Sequence, residues 1–346
     1  MRTQAGDGRI DPGDGQVDRW EREQRLDEAA VERLWRSGVT LRLGPEASVA
    51  VVPGPGADRS LWSTADPATV DRAQLAGTTR LAAWPNGDQP YDSQHDFLIG
   101  VIGGVAWFVN DRLPASGDTM MDGATEEAGS VGEDAITAGA LGEAGSVELV
   151  DLRAAWPRLT PGEAEIALTA AALVNWHQNE SFCPRCGSPT QVTAAGASRW
   201  CDHCHHDLFP RTDPAVIVAV LDAKDRLLLA HQRVWPDGLY SVVAGFVEAG
   251  ESLTQAVQRE VAEEVGLDVT DITYRDSQPW PFPRSLMLGF TARAMTATPV
   301  PDGHEIGQVR WFSRSQIGPA LAAGELILPG PGSIAFRLIQ DWLNGR

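Results

Sequence analysis

Residues 245–267 read GFVEAGESLTQAVQREVAEEVGL, and this stretch decides the fold. Ser252 followed by Gln255 is a capping box, so a helix is expected to open there. Gly266 supplies its C-cap. Leu253, Val257 and Val261 give the helix an apolar stripe, while Glu260, Glu263 and Glu264 stand at i, i+3 and i+4 on another face. Carboxylates this close repel one another unless cations lie among them, and hard oxygen ligands at such spacing suit Mg2+ or Mn2+. A solvated acidic helix face would account for the carboxylates alone. It would not account for the glycine-bearing loop before them, nor for Glu251 and Arg259.

Around this helix the pattern is that of a mixed α/β domain over 211–346. Segments 215–221 and 226–230 read as a hairpin around Asp225, and 239–244, 272–276, 286–292 and 309–312 as further strands. A last helix starts at Ser333, with Ile334, Ala335, Leu338, Ile339 and Trp342 on one face. Immediately upstream, 181–210 carries Cys183-x2-Cys186-x14-Cys201-x2-Cys204. Each CxxC turn presents two thiolates, and two such turns make a closed S4 site suited to structural Zn2+. A redox pair or an iron site are the alternatives. His203, His205 and His206 read as exposed, because four thiolates already fill the shell.

Segment 20–178 reads as an N-terminal α/β domain rich in strands, at 39–43, 48–52, 97–102 and 105–109, with Gly103-Gly104 making a tight hairpin. Its closing helix opens at Thr160-Pro161-Gly162-Glu163, a capped start with Pro at the first position, and carries Trp176 and His177 as core and helix end. Residues 1–19 read as a disordered leader, and 114–146, rich in Gly, Ala and acids, as a disordered acidic loop. The formal charge of −19 argues against a general binder of nucleic-acid backbone. The longest apolar run, 97–109, is too short to cross a membrane. The N-terminus lacks the apolar core of a secretory signal, so a reducing, cytoplasmic setting is expected for the cysteines.

Gly245, Glu251, Arg259, Glu260, Val261, Glu263, Glu264, Gly266 and Leu267 occupy every fixed position of the Nudix signature G-x5-E-x7-R-E-U-x-E-E-x-G-U. Ten residues further on, Ser277-Gln-Pro-Trp-Pro-Phe-Pro-Arg-Ser285 matches SQPWPFPxS, the array that marks NADH pyrophosphatases. With the upstream cysteines, the chain resembles the bacterial NADH pyrophosphatase family of Nudix hydrolases from about Trp176 to the C-terminus. The resemblance implies a Nudix fold, a mixed sheet sandwiched by helices, preceded by a zinc ribbon and a strand-rich domain, in a homodimer. It implies Glu260, Glu264, Glu305 and the Ala244 carbonyl as Mg2+ or Mn2+ ligands, with Glu263 a ligand or an activator of water. Gly245, Glu251, Arg259 and Gly266 take bracing roles.

For the substrate, the resemblance implies Phe246 as a stack for nicotinamide and Phe209 as a site aromatic, where relatives usually carry Tyr. Gln278, Pro279, Trp280, Pro281, Phe282, Pro283, Arg284 and Ser285 form a rigid recognition loop. Ala335 is a small residue beside the substrate. Gly196 stands where some relatives carry a substrate-contacting acid. The implied activity is hydrolysis of NAD(H) to NMN(H) and AMP. Removal of NAD caps from RNA by the same site is the alternative substrate reading. A zinc-ribbon nucleic-acid-binding protein with an incidental Nudix fold is the alternative from another class. The intact carboxylate set and the lack of basic clustering around the cysteines speak against it.

Overall fold

The computed structural model describes residues 17–19, 22–41, 43–44, 48–53, 79–81, 83–102, 104–111, 148–296 and 298–346. The acidic stretch 114–146 lies outside the described residues, as does most of the leader. Residues 17–19 of the expected leader are built into the fold, contrary to the expectation for them. Asp18 exchanges two backbone hydrogen bonds with Val101, at 3.0 and 2.8 Å, and Arg19 pairs with Glu165 at 2.8 Å. The described residues fall into two compact units, divided between Pro210 and Arg211.

The first unit holds strands β1 (Val39–Leu41), β2 (Leu43–Gly44), β3 (Ser48–Pro53), β4 (Thr79–Leu81), β5 (Ala83–Pro85), β6 (Asp96–Ile102), β7 (Val105–Asn110) and β8 (Glu148–Asp151). One sheet runs β5-β1-β7-β6; the other runs β2-β3-β4, with β8 on β3. The helix Pro161–Asn179 opens with the expected capping box, Thr160 and Glu163 each satisfying the other's backbone N–H. The ribbon strands β9 (Gln191–Thr193), β10 (Ser198–Cys201) and β11 (His206–Leu208) belong to this same unit. Their link to it is polar and buried. Arg199 donates to His177 Nδ1 at 2.9 Å, which leaves His177 Nε2 to donate to the Gly196 carbonyl at 2.8 Å. Burial, with Arg199 adding to it, pushes the His177 pKa down to about 4, so the ring is neutral, stacked 4.0 Å from Phe97.

The second unit is a mixed sheet built from β12 (Asp213–Leu221), β13 (Leu227–Gln232), β14 (Val243–Phe246), β15 (Val269–Trp280), β16 (Ser285–Ala294) and β17 (Ile306–Phe312). The order is β15-β16-β12-β13-β17, with β14 also on β12 and only β12–β16 parallel. Side chains of β12 alternate between two covers. Val216, Val218 and Val220 pack with Val257, Val261 and Val265 of the acidic helix, Leu253–Val265. Ile217 and Ala219 pack with Ile334, Leu338 and Trp342 of the C-terminal helix, Ile334–Leu343. Both faces being covered explains why β12 reads as an unbroken apolar run.

Two expectations shift in this sheet. The strand expected at 239–244 is Val243–Phe246 instead. Its first half is held by isolated bridges, Leu239 to Ile327 and Ser241 to Ala230, because the chain turns at Gly238 before it can run alongside β13. The expected loop 277–285 is the closed end of the β15–β16 hairpin, in which Ser277 pairs with Leu288 and Trp280 with Ser285. Pro279 is tolerated there because β15 is an edge strand. Among the described residues, no helix is long and apolar enough to cross a membrane.

Gly196 is a packing position. Its φ is +89°, and a Cβ there would stand 2.5 Å from the Phe97 Cβ. No acidic side chain fits at that point, whatever relatives carry at this spacing. Gly196→Ala is expected to cost about 2–4 kcal/mol in urea unfolding, from overpacking and a left-handed backbone together. Gly104→Ala, at φ +80° with no atom within 4 Å of the added Cβ, should cost only the backbone part, about 1 kcal/mol.

Candidate active site

The acidic helix starts and ends as its sequence dictates. Ser252 and Gln255 form a reciprocal capping box, and Gly266 takes the left-handed conformation at the C-cap. Ala256, Val257, Val261 and Val265 are its buried stripe; Leu253 lies at the exposed end and adds little to it. Burying that stripe fixes the rotation of the helix, and the rotation fixes where each carboxylate points.

Arg259 ties the helix to the loop before it. Its Nε and Nη2 donate to the two oxygens of Glu251, both at 2.9 Å. Nη2 also donates to the Phe246 carbonyl at 2.8 Å, and Nη1 to Glu260 at 2.8 Å and Glu263 at 3.1 Å. Glu251 in turn accepts the Glu248 N–H at 3.0 Å. The guanidinium holds the Glu251 carboxyl below its ordinary range, with the Glu248 amide assisting. The Glu260 carboxylate lies against Gly245, where a Cβ would come within 2.0 Å of its carboxyl carbon. Gly245 is required for that close approach.

Glu264 is the buried acid of the set, 6% exposed. Burial, then the charges of Glu305, Glu260 and Asp302, push its pKa up to about 8. Burial also raises Glu260, against the lowering effect of Arg259. Glu263 is 63% exposed. Glu305 reaches the cluster from outside the helix through the turn at Asp302. Asp302 donates its N–H to the Glu264 carbonyl at 3.1 Å, and its carboxylate accepts the N–H groups of His304, Glu305 and Ile306. Gln232 donates to Glu305 Oε1 at 2.9 Å. Sequence reasoning missed Asp302 and Gln232. Asp302-Gly303 is a turn signal that could have disclosed the first; nothing local marks the second.

Sheet register relates the remaining positions. Phe246 on β14 sits opposite Ala215, which faces Met287 on its other side, and Met287 faces Gln278. Phe246 and the hairpin end therefore lie at one end of the sheet. Phe246 is 58% exposed, with its ring free of the core. Trp280 and Phe282 meet edge to face at 5.2 Å, beside a cis Phe282–Pro283 bond. Pro279 and Pro283 are exposed, Ser285 is half-buried and Pro281 is buried. Arg284 is engaged by Asp213 at 2.8 Å.

Two expected substrate contacts are corrected. Gln278 is 4% exposed, and its amide is spent on the backbone of the C-terminal helix start. Nε2 donates to the Gly332 carbonyl at 2.8 Å, and Oε1 accepts the Ile334 N–H at 2.7 Å. Ala335 is buried in the core on the same helix. Both residues fix that helix to β15. Phe209 belongs to the first unit and is 56% exposed.

In the ribbon, the four cysteine sulfurs lie within 4.8 Å of one another and none is in a disulfide. Cys186 and Cys201 sulfurs are 3.6 Å apart, close to the spacing of about 3.8 Å around a tetrahedral ion with bonds of about 2.3 Å. The thiolates therefore fit a metal. Of the three histidines expected to be exposed, His203 and His205 are; His206 is partly covered, with Nδ1 buried and no partner among the described residues. The acidic helix fits a divalent ion on different grounds: a buried carboxyl, Glu264, whose proton is held by burial and by the charges of Glu305, Glu260 and Asp302, and which a cation would displace.

Residues 211–327 match the NUDIX domain family. The chain is 45% identical over 205 residues to the NAD-capped RNA hydrolase NudC of Mycobacterium bovis, covering 56% of this chain and 65% of that protein. It is 36% identical over 199 residues to the human NAD-capped RNA hydrolase NUDT12, covering 54% of this chain and 43% of that protein. The chain thus spans less than two thirds of the length of these curated relatives. Among solved structures, a NUDIX hydrolase from Nitrosomonas europaea aligns with 47% of this chain and 88% of its own, at 23% identity and a TM-score of 0.34.

Glu264 sets a pH dependence. The folded protein holds this proton to about pH 8, whereas an ordinary glutamate releases it near 4.5. Across that window the unfolded chain binds fewer protons, so metal-free stability falls as pH rises from about 4.5 to about 8. Melting temperatures of metal-stripped protein should show this fall, and Glu264→Gln should flatten it. Added Mg2+ should raise the wild-type melting temperature more at the alkaline end, where protons compete least.

Proposed function

We propose that this chain, through the Nudix domain of residues 211–327, hydrolyses the pyrophosphate of NAD(H) to NMN(H) and AMP. The observation that carries the reading is the buried Glu264 among Glu260, Asp302 and Glu305, in the same domain as the SQPWPFPRS hairpin. Glu260, Glu264, Glu305 and the Ala244 carbonyl would hold Mg2+ or Mn2+. A divalent ion held there would supply charge neutralisation for the phosphates and lower the pKa of water. Glu263 is exposed and hydrogen-bonded to Arg259, which favours the water-activating role over that of a ligand. Water adds to phosphorus, the bridging P–O bond breaks, and the two mononucleotides leave.

For the substrate we assign Phe246 as the nicotinamide stack and the Trp280–Phe282 pair as the rigid wall of the same pocket, with Pro279, Pro281 and Pro283 stiffening it. Removal of NAD caps from RNA is the second reading, favoured by the names of both curated relatives. The same residues would serve it. We assign Zn2+ to Cys183, Cys186, Cys201 and Cys204 as a structural ion, and a homodimer as the assembly.

Incubation with NADH, NAD+, ADP-ribose and NAD-capped RNA, each with Mg2+ or Mn2+, tests the reaction. Glu264→Gln should keep the fold and nearly abolish turnover; near-wild-type kcat at saturating metal would overturn the assignment. Elemental analysis of protein purified without added zinc should find one zinc per chain. Phe246→Ala should lower kcat/KM for NADH roughly five- to 150-fold relative to ADP-ribose, the loss of a stack of about 1–3 kcal/mol. ADP-ribose has no ring for the lost aromatic to meet, so equal losses on both substrates would retire the stacking role.

A further inference from the structure

The acidic helix covers one face of the C-terminal sheet. The opposite face carries a groove that hydrolysis does not use. It lies between β15, β16 and the C-terminal helix, on the side to which Ala219 and Leu221 of β12 point. An occupant there does not touch Glu260 or Glu264, which stand across the sheet. Its volume is about 600 Å3, inside the roughly 300–1,000 Å3 of small-ligand pockets.

Five arginines line it: Arg275, Arg293, Arg314, Arg337 and Arg346. Three side-chain carboxylates oppose them, those of Asp225, Asp276 and Asp341, and even with the α-carboxylate of Arg346 counted the arginines outnumber the anions. The groove is therefore net positive in a chain of formal charge −19. One cation is fully engaged. Arg314 pairs with Asp225, donates to the Trp342 carbonyl and lies 4.9 Å from the Trp342 ring centre.

Arg275, Arg293 and Arg337 are each engaged by only part of their guanidinium in the contacts that follow. Arg275 lines the groove and donates through Nε to Thr291 Oγ1 at 3.1 Å. Arg293 donates through Nη1 to the Asp222 carbonyl at 3.2 Å and stands 3.6 Å from Asp225. Arg337 pairs through Nη1 with Asp276 at 2.6 Å, but its Nε is buried with no hydrogen-bond partner among the described residues. A buried N–H of a cation without an acceptor is costly, and an entering anion oxygen would satisfy it.

We propose that this groove is a second ligand site, one that binds phosphate groups. Planar guanidinium forks match phosphate oxygens two at a time, which carboxylates on the protein cannot do for all five arginines at once. The phosphates come either from a free polyphosphate or from a nucleic-acid backbone. The proposal does not depend on which substrate the acidic helix splits.

Calorimetric titration of the zinc-replete full chain, without added Mg2+ or Mn2+, tests it with sodium tripolyphosphate in one arm and a short uncapped single-stranded RNA in the other. Saturable binding that weakens with salt is expected in at least one arm. Arg275→Ala with Arg293→Ala should weaken it roughly tenfold or more. Arg337→Lys, which keeps the charge but removes the Nε donor, should weaken it as well. Arg275→Ala alone, at an exposed position, serves if the double variant melts lower. Loss in the tripolyphosphate arm identifies a free polyphosphate, and loss confined to the RNA arm identifies the backbone. Failure of the wild type to bind either, or variants of unchanged melting temperature that bind both as tightly as wild type, overturns the proposal.

Discussion

The guanidinium of Arg259 is the contact on which the site depends. A helix with three glutamates on one face has no reason of its own to hold a loop against them. Arg259 supplies it, by spending its donors on Glu251, Glu260, Glu263 and the Phe246 carbonyl. Bidentate pairing with Glu251 fixes the plane of the guanidinium. That plane aims Nη2 at the backbone beside Gly245, and the glycine lets the Glu260 carboxylate lie directly on it. Lysine could supply the charge but neither the fork nor the reach to loop and helix together.

Glu264 stands outside this bracing and among acids. A buried acid among acids would drive the cluster apart if all were ionised. The protein instead lets Glu264 keep its proton to about pH 8. Release of that proton is favourable when a cation enters, so affinity for a divalent ion and the ionisation of Glu264 are one equilibrium. Asp302 completes the arrangement from the other side. Its carboxylate collects the N–H groups of the turn that delivers Glu305, so a residue far along the chain is presented with a rigid backbone.

Much of this was legible because the relevant physics is local. Capping at Ser252, the C-cap at Gly266 and the i, i+3, i+4 carboxylates are all written within one helix. So were the helix opened by Thr160 and the four converging thiols. What the sequence withheld depends on partners distant in the chain. Gln278 looks like a recognition residue because it sits in a polar-aromatic motif; only pairing of β15 with β16 turns it inward, onto the backbone of Gly332 and Ile334. Ser277–Trp280 looks like a loop because prolines interrupt it, yet an edge strand accepts a proline whose missing donor faces no neighbour. Asp18 and Gln232 carry no local signal at all, and partners far along the chain set their places.

The two-sided burial of β12 also separates the faces of the sheet as chemical environments. Successive residues of β12 report to different cores, the odd positions to the C-terminal helix and the even ones to the acidic helix. Charge on one face is therefore separated from charge on the other by the sheet and the apolar side chains packed on it. That separation permits carboxylates to gather on one side while arginines gather on the other, without one neutralising the other. Gln278 is where the two sides meet mechanically. It lies on the strand that continues into the Trp280–Phe282 hairpin, and its amide grips the start of the helix that carries Arg337. A force that displaces that helix along the sheet must act on β15, and so on the hairpin in which β15 ends.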